Sequence, residues 1–240
     1  GININENCGS THLEGLQKFV VETKADLGLA FDGDADRCIA VSSDGEVVDG
    51  DKILYILAKR LKSRGMLNND TVVATVMSNS GFFKSLQDAG IEGCETAVGD
   101  RFVYECMQEK DLSLGGEQSG HIIMRKYATT GDGILTAIML AEELCDTKRT
   151  LSELCEGVNL YPQYIKNIKV RDKDAGLEDD GVQVAVKDVM EKIGERGRVL
   201  LRKSGTEPVV RIMLECENEK LCRDFAAILE KTISERGHTV

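Results

Sequence analysis

The stretch TVVATVMSNSGFFKSLQDAGIEGCETAVGDRFVYECMQEKDLSLGG, residues 71–116, decides the fold. Strands that alternate with helices favour right-handed crossovers and a parallel or mixed sheet covered on both faces. Ligands of such sheets gather at the carboxyl ends of the strands, so the loops that begin at Ser78, Gly99 and Gly116 are candidate site segments. The apolar patterns predict strands at 71–77, 94–98 and 112–115 and helices at 81–89 and 102–109.

The segment before this stretch predicts a smaller strand unit. An apolar run at 27–31 predicts a buried strand, which ends in an acidic turn at 32–37. The strand pattern resumes at 38–41. A helical period then begins at Asp49, and we place a domain boundary there.

The segment after this stretch first predicts a long helix at 134–144, and the pattern changes after Gly157. Strands and helices are no longer regularly interleaved, which favours a small α+β domain. We expect an open sheet with helices on one face, joined through residues 159–162. The predicted strands are 164–170, 199–201 and 209–216, and the predicted helices are 182–193 and 220–234.

The composition is that of a globular protein with an acidic surface. Of 240 residues, 42% are hydrophobic and 30% charged, and the net charge is −11. This charge opposes general attraction to nucleic acid and to anionic membranes, so we expect neither as a partner. No apolar run approaches the ~18 residues of a membrane span and no leader opens the chain, which predicts a cytoplasmic protein. The eight cysteines form no C-x-x-C pair, and we expect reduced core thiols.

The acidic turn carries Asp32, Asp34 and Asp36, spaced by two. In an extended loop this spacing points three carboxylates to one side, where they repel each other unless a cation lies among them. Carboxylate oxygens suit Mg²⁺ or Ca²⁺. An EF-hand is excluded because Arg37 and Ser43 stand where that loop needs Gly and Glu. The alternative is a solvated acidic turn.

A glycine-rich loop at 115–121 carries Glu117, Ser119 and His121. Glycines let the backbone approach a ligand closely, and these three side chains can bridge sugar hydroxyls or an amine. His121 could also carry a proton. The alternative is a turn in which Glu117 caps a neighbouring element.

Basic and hydroxyl groups cluster in a third loop at 202–208, followed by Arg211. Arginine, lysine, two hydroxyls and the backbone N–H groups near a glycine suit a phosphate dianion. The alternative is a basic hairpin tip. Arg101 is a further anion-binding candidate because it lies at a predicted helix N-terminus.

Together and in this order, these loops resemble those of the α-D-phosphohexomutase superfamily. The matching segments are DGDADR at 32–37, GEQSGH at 116–121 and RKSGTEP at 202–208. Within the superfamily they are most similar to the bacterial phosphoglucosamine mutases, through residues 76–79, 98–101 and 129–133. The resemblance spans nearly the whole chain.

The resemblance implies mixed-sheet three-layer α/β domains followed by a small α+β domain. It implies the end of a second domain at 1–48 with the metal loop, a sugar-binding third domain at 49–158 and a phosphate-binding fourth domain at 159–240. The first domain of the family carries a phosphoserine in a Thr-Ala-Ser-His-Asn-Pro type motif, which does not occur here. We therefore expect a fragment that is inactive alone and needs the N-terminal domains as a partner. The exposed remnant of the second domain leaves a homodimer open.

The implied reaction interconverts glucosamine 6-phosphate and glucosamine 1-phosphate through the phosphoserine and a bisphosphorylated sugar, for amino-sugar nucleotide and cell-wall precursor synthesis. The resemblance implies Mg²⁺ on Asp32, Asp34 and Asp36, where it would offset charge on the transferred phosphoryl group. Arg37 and His121 would be catalytic. The implied substrate-binding residues are Arg101, Glu117, Ser119, His121, Arg202, Ser204, Gly205, Thr206 and Arg211.

Three alternatives remain open. A phosphomannomutase or phosphoglucomutase of the same superfamily would use the same loops. A haloacid dehalogenase-type phosphatase would use Asp32 as nucleophile and Asp34 as acid and base, although Asp36 stands where such enzymes usually have Thr or Val. A module that binds metal and sugar phosphate without turnover is the third.

Overall fold

The computed structural model describes residues 2–203 and 208–239. The chain divides into two compact units, Gly1–Asn159 and Leu160–Val240. The three-domain division at 1–48, 49–158 and 159–240 stays a prediction.

A three-stranded antiparallel sheet opens the first unit. Its strands are β1 (Leu27–Phe31), β2 (Cys38–Ser42) and β3 (Val47–Val48), in the order β1-β2-β3. A 3-10 turn at Gly9–Thr11 and helix α1 (Glu14–Thr23) precede it. The expected strands on either side of the acidic turn are confirmed: Phe31 pairs with Cys38, so the turn connects two antiparallel neighbours.

The second sheet of this unit is mixed, as the sequence predicts. Strands β5 (Glu92–Thr96) and β6 (Leu114–Gly116) each run parallel to β4 (Thr71–Thr75), and β7 (Ile122–Met124) runs antiparallel to β6. The short strand β7 was not predicted, because its three apolar residues directly follow the glycine-rich loop. The strand order in this sheet is β5-β4-β6-β7.

Burial explains where the strand predictions were accurate. The central strand β4 is buried at 72–75, so its sequence is continuously apolar or β-branched. The strand β5 pairs with β4 alone among the described strands, and it is mostly exposed. Its bounds lie two residues before the predicted 94–98, because an exposed edge strand needs no apolar run.

Helices of the first unit bury apolar faces predicted from their spacing. In α2, the expected residues Ile53, Leu54 and Leu57 are fully buried. Asp49 starts this helix by accepting the N–H of Lys52 (3.1 Å). The helices are α2 (Gly50–Ser63), α3 (Ser80–Asp88), α4 (Asp100–Glu109), α5 (Gly133–Thr147) and α6 (Leu151–Leu154), with a 3-10 turn at Asn68–Asp70.

The second unit is a small α+β domain, as expected. Alternate residues of its central strand, Val210, Ile212 and Leu214, share a core with Val189 and Leu229 of two helices. Helix α7 was not predicted, since its six residues carry no apolar period. The elements are β8 (Gln163–Lys169), α7 (Lys173–Glu178), α8 (Asp180–Ile193), β9 (Gly197–Lys203), β10 (Val209–Cys216) and α9 (Glu219–Glu235), with a 3-10 turn at Gly194–Arg196 and the antiparallel order β8-β10-β9.

The cysteines only partly match the expectation of core thiols. All eight are free, but Cys8 and Cys145 are exposed. Cys145 lies in the amphipathic helix α5, where an apolar-looking position can still face solvent. Among the described residues, no helix has the length and apolar content needed to cross a bilayer.

Candidate functional site

Asp32, Asp34 and Asp36 converge in the connection between β1 and β2. One carboxylate oxygen from each lies within 4.8 Å of the other two. Asp32 and Asp36 are half-buried and Asp34 is exposed. Three oxygen ligands on one side, open to solvent at Asp34, suit a hard cation that keeps part of its water shell.

Asp32 and Asp36 titrate as a pair. Burial opposes the charge on Asp32, but hydrogen bonds from Asp36 and from the backbone N–H of Arg37 (3.1 Å) outweigh it and lower its pKa. Burial and the hydrogen bond to Asp32 raise the pKa of Asp36. Of the two carboxylates, Asp36 is therefore the one that takes up a proton more readily. The guanidinium of Arg37 lies beside both, with its Nε 3.6 Å from Asp32 Oδ2 and 3.9 Å from Asp36 Oδ1.

The buried ring of His121 contacts Asp36. Its Nδ1 is 3.0 Å from Oδ2 of Asp36, and its Nε2 accepts the backbone N–H of Gly131 (2.9 Å). Because Nε2 is an acceptor, the proton of the neutral ring lies on Nδ1 and is donated to Asp36. The ring is buried, with 4% exposure, and both nitrogens are engaged within the protein.

The two oxygens of Asp36 differ in their hydrogen bonding. Its Oδ1 is buried, yet no hydrogen-bond partner for it occurs among residues 2–203 and 208–239. A buried carboxylate oxygen without a partner costs roughly 1–3 kcal/mol or more. The donor set therefore fits a cation at this oxygen.

Two backbone contacts fix the acidic turn against later parts of the chain. Cys38 donates its N–H to the carbonyl of Gly120 (3.0 Å), and Gly133 donates to the carbonyl of Ala35 (3.0 Å). A Cβ on Gly120 or on Gly133 would lie 2.4 Å from a carbonyl oxygen of the 37–38 segment. Only glycine allows this approach, which brings the glycine-rich loop at 115–121 and the start of α5 against the acidic turn.

Glu117 is oriented by two hydrogen bonds. Its Oε1 accepts the N–H of Gly99 (3.1 Å) and its Oε2 accepts the hydroxyl of Ser119 (3.3 Å). The loop also packs on the start of α2, where Gly50 donates its N–H to the carbonyl of Gln118 (3.0 Å). Glu117 and Ser119 are half-buried, so their free lone pairs remain within reach of a ligand.

The loops after β4 and β5 reach the same end of the sheet. Arg101 is 79% exposed and pairs with Glu105 (2.7 Å), whose hydrogen bond raises the pKa of Arg101. Asp100 begins α4, and its Oδ2 lies 4.0 Å from His121 Nε2. Sequence reasoning missed Asp51, a fully buried acid that accepts the N–H of Asn79 (2.8 Å). Its only signal was a carboxylate in the first turn of α2.

The predicted phosphate loop lies in the second unit. Arg202 in β9 and Arg211 in β10 are register partners, so both guanidinium groups lie on one face of the sheet. Arg211 Nε donates to Oδ1 of Asn167 (2.9 Å). Ser204, Gly205 and Thr206 lie outside the described residues.

Sequence profiles identify the family. The phosphoglucomutase/phosphomannomutase alpha/beta/alpha domain III matches residues 49–161, and the C-terminal domain of the same family matches residues 165–231. The chain belongs to the phosphoglucomutase/phosphomannomutase family. The predicted superfamily is thereby confirmed.

Two curated relatives that the chain resembles over nearly its whole length are phosphoglucosamine mutases. Phosphoglucosamine mutase of Shouchella clausii is 52% identical over 236 residues, which is 98% of this chain and 53% of that protein. Phosphoglucosamine mutase of Bacillus subtilis is 50% identical over 238 residues, 99% of this chain and 53% of that protein. The chain thus spans about half the length of the curated relatives it matches.

Solved structures of the family share the fold. A phosphoglucomutase/phosphomannomutase family protein from Burkholderia thailandensis superposes with a TM-score of 0.74 at 20% identity, covering 96% of this chain and 51% of that one. The N-acetylphosphoglucosamine mutase of Aspergillus fumigatus, solved with GlcNAc-6P and magnesium, gives 0.73 at 19% identity, covering 96% of this chain and 53% of that one.

Proposed function

We propose that this chain supplies the metal-, sugar- and phosphate-binding half of a phosphoglucosamine mutase. The whole enzyme interconverts glucosamine 6-phosphate and glucosamine 1-phosphate through a phosphoserine and a bisphosphorylated sugar. The names of relatives at 50–52% identity support this substrate. The observation on which this proposal rests is the hydrogen bond from Cys38 to Gly120. It joins the acidic turn to the glycine-rich loop at 115–121, which we call the sugar loop.

Asp32, Asp34 and Asp36 would hold Mg²⁺. Two observations support this assignment: three carboxylate oxygens lie together, and Oδ1 of Asp36 is buried without a hydrogen bond from any described residue. When bound, Mg²⁺ supplies positive charge that stabilises a phosphoryl group in transfer. Arg37 adds a fixed positive charge beside the same carboxylates.

His121 positions Asp36 in this proposal. Both of its ring nitrogens are engaged, so the side chain has no nitrogen left for a sugar hydroxyl. By donating to one oxygen of Asp36, it aims the other at the cation. Such a second partner of a metal ligand fixes ligand orientation.

Glu117 and Ser119 would bind the sugar. The N–H of Gly99 and the hydroxyl of Ser119 hold the Glu117 carboxylate in one orientation. A fixed carboxylate can accept from two neighbouring hydroxyls or from the ammonium of glucosamine. Arg101, exposed in the first turn of α4, would add positive charge for a phosphate.

The second unit would bind the phosphate that does not react. Arg202 and Arg211 contribute two cations on adjacent strands, and like charges at paired positions are tolerated best when an anion lies between them. The resemblance of the 202–208 segment adds three further residues to this proposed site, Ser204, Gly205 and Thr206. Binding energy from that distal phosphate would orient the reacting end of the sugar.

Three further assignments belong to the proposal. The N-terminal domains of a phosphoglucosamine mutase are a partner, a cytoplasmic location fits a sugar-phosphate substrate, and a homodimer could form at the edge of β1. Among the described strands, β1 pairs with β2 alone. A free edge of this kind can take up another strand.

Complementation tests the activity. The chain is assayed with Mg²⁺ and glucosamine 6-phosphate, alone and after addition of the N-terminal half of the Bacillus subtilis enzyme. We expect glucosamine 1-phosphate only in the complemented reaction. Release of inorganic phosphate by the chain alone would favour the phosphatase, and binding without turnover in both reactions would favour a binding module.

A matched pair of variants tests the sugar site. We expect Glu117→Gln to weaken binding of glucosamine 6-phosphate, measured by calorimetry, at least about tenfold, because a charged hydrogen bond is worth ~1.5–3 kcal/mol. Glu105→Gln removes a carboxylate that pairs with Arg101 in α4 and should change affinity less than threefold. Equal losses in both variants would contradict the role of Glu117.

Titration of the unmodified chain with glucose 6-phosphate and mannose 6-phosphate tests the sugar preference.

A further inference from the structure

Two thiols from different elements meet at the edge of the second sheet. The Sγ atoms of Cys94 in β5 and Cys106 in α4 are 3.3 Å apart. A disulfide bond is about 2.0 Å long, so the two sulfurs have to come about 1.3 Å closer to form one. Both residues are half-buried, so a small oxidant can reach them.

The surroundings distinguish the two sulfurs. The ammonium of Lys110 lies 3.0 Å from Sγ of Cys94 and puts a positive charge where negative charge forms on an attacking sulfur. Burial, and next the contact with Cys94, raises the pKa of Cys106 to about 11. Cys94 is therefore suited to attack first, and Cys106 to follow as a thiol.

We propose that Cys94 and Cys106 form a reversible oxidation site for hydroperoxides. Cys94 loses its proton to solvent, and its thiolate attacks the peroxide. The O–O bond breaks, Cys94 becomes a sulfenic acid, and the leaving oxygen takes a proton back from solvent and departs as an alcohol or water. Cys106 then attacks that sulfur, and the sulfenic oxygen leaves as water with the thiol proton. Two thiols lose two electrons and one peroxide gains them.

The bond would tie together the two elements that flank the Gly99 loop. The strand β5 leads into that loop and α4 begins directly after it, with Asp100. Gly99 donates its N–H to Glu117 (3.1 Å), so the disulfide would restrain one hydrogen-bond partner of the sugar loop. The thiols themselves lie outside the acidic turn, and their oxidation does not rest on mutase activity.

Peptide mapping tests the bond directly. Trypsin cleaves after Lys84, Arg101 and Lys110, so the two cysteines fall in separate peptides, 85–101 and 102–110. The full chain is treated with hydrogen peroxide, alkylated and digested without reduction. We expect the linked peptide pair, which dithiothreitol separates again.

Two single substitutions and a control make the assignment specific. Cys94→Ser and Cys106→Ser should each abolish the linked pair, whereas Cys145→Ser, which removes an exposed thiol, should leave it unchanged. The proposal is overturned when the exposed Cys145 is already oxidised and no link between 94 and 106 has formed. Oxidation of both cysteines to sulfinic acid without a link also overturns it.

Lys110 provides a test that a merely structural contact would not pass. We expect Lys110→Gln to slow formation of the link about threefold to tenfold, and Lys110→Arg to keep most of the rate, because the charge at Cys94 is retained. Equal rates in all three proteins would overturn the assignment of Cys94 as the attacking thiol.

Exchange of the backbone amide hydrogens at 97–102 tests the coupling to the sugar loop. We expect this exchange to slow on oxidation, and unchanged exchange would overturn the coupling.

Discussion

Each unit of the molecule contains a histidine–aspartate pair with the same 3.0 Å separation, His121 with Asp36 and His238 with Asp179. The surroundings of the two aspartates differ. Asp179 accepts from Arg236 Nε (2.7 Å) on one oxygen and Arg236 Nη2 (2.9 Å) on the other, and it also caps α8 through Val182. Asp36 keeps one buried oxygen, Oδ1, that has no hydrogen-bond partner among the described residues, and Arg37 Nε is 3.9 Å from it.

The difference shows how an aspartate suited to bind a metal ion can be distinguished from one that only stabilises the fold. Hydrogen bonds from Arg236 and His238 hold the pKa of Asp179 well below its usual range, whereas burial and its neighbour Asp32 raise the pKa of Asp36. A carboxylate whose oxygens are all satisfied stabilises the fold. A carboxylate that is buried close to other acids, and that has an oxygen without a hydrogen bond, favours the binding of a cation instead.

The glycines beside the two histidines should give the largest contrast. A Cβ on Gly131 would lie 2.5 Å from the His121 ring, so we expect Gly131→Ala to lower the free energy of unfolding of the first unit by about 3 kcal/mol. The matched control is Gly176→Ala, where the nearest His238 atom is 3.7 Å away and we expect little loss. Urea unfolding of both variants checks this, and similar losses would remove the contrast.

Replacing the histidines should affect metal binding in one unit only. We expect His121→Phe to weaken Mg²⁺ or Mn²⁺ binding about 10- to 100-fold, as is typical for the second partner of a metal ligand. His238→Phe should leave metal affinity unchanged while lowering stability. Calorimetry with each ion measures both, and equal affinities for the two variants would contradict the positioning role of His121.

Neutralising the two aspartates should shift stability in opposite directions. Without metal, we expect Asp36→Asn to stabilise the first unit by about 0.5–1 kcal/mol, because it removes one of three mutually repelling charges. Asp179→Asn keeps the cap on α8 but loses the ion pair with Arg236, so it should destabilise the second unit at neutral pH. Unfolding in EDTA tests the pair of signs, and a loss of stability in both variants would be contrary evidence.

The smallest expected effect is the pH dependence of the Asp179 contribution. Its pKa is lower in the folded chain than in the unfolded one, so its stabilising contribution is present above the ordinary aspartate pKa of about 3.9. That contribution is lost as the pH falls further towards the folded value. The stability difference between the wild type and Asp179→Asn should therefore be constant above about pH 5 and shrink below pH 4. A difference that is as large at pH 2 as at pH 7 would exclude this linkage.

Sequence reasoning succeeded where the pattern is periodic or the residue types are rare. The strand at 71–75 and the apolar face of α2 follow from continuous or helical spacing, and the spacing by two correctly placed the three acids of the 32–37 turn close together. The sequence could not show that His121 turns both nitrogens inwards, because that depends on the backbone of Gly131, which only the tertiary fold brings to the ring. The same holds for Asp51 in the first turn of α2, whose partner Asn79 caps a different helix, α3.

The bond between Asp36 and His121 spans 85 residues of sequence, and it bears on how the protein is made. During synthesis from the N-terminus, the acidic turn emerges long before the histidine that orders it. Closing a loop of this length costs entropy that local contacts do not offset, so native geometry at the carboxylates should appear late in folding. A nascent chain that stops before His121 would carry the acids without the side chain that orients Asp36.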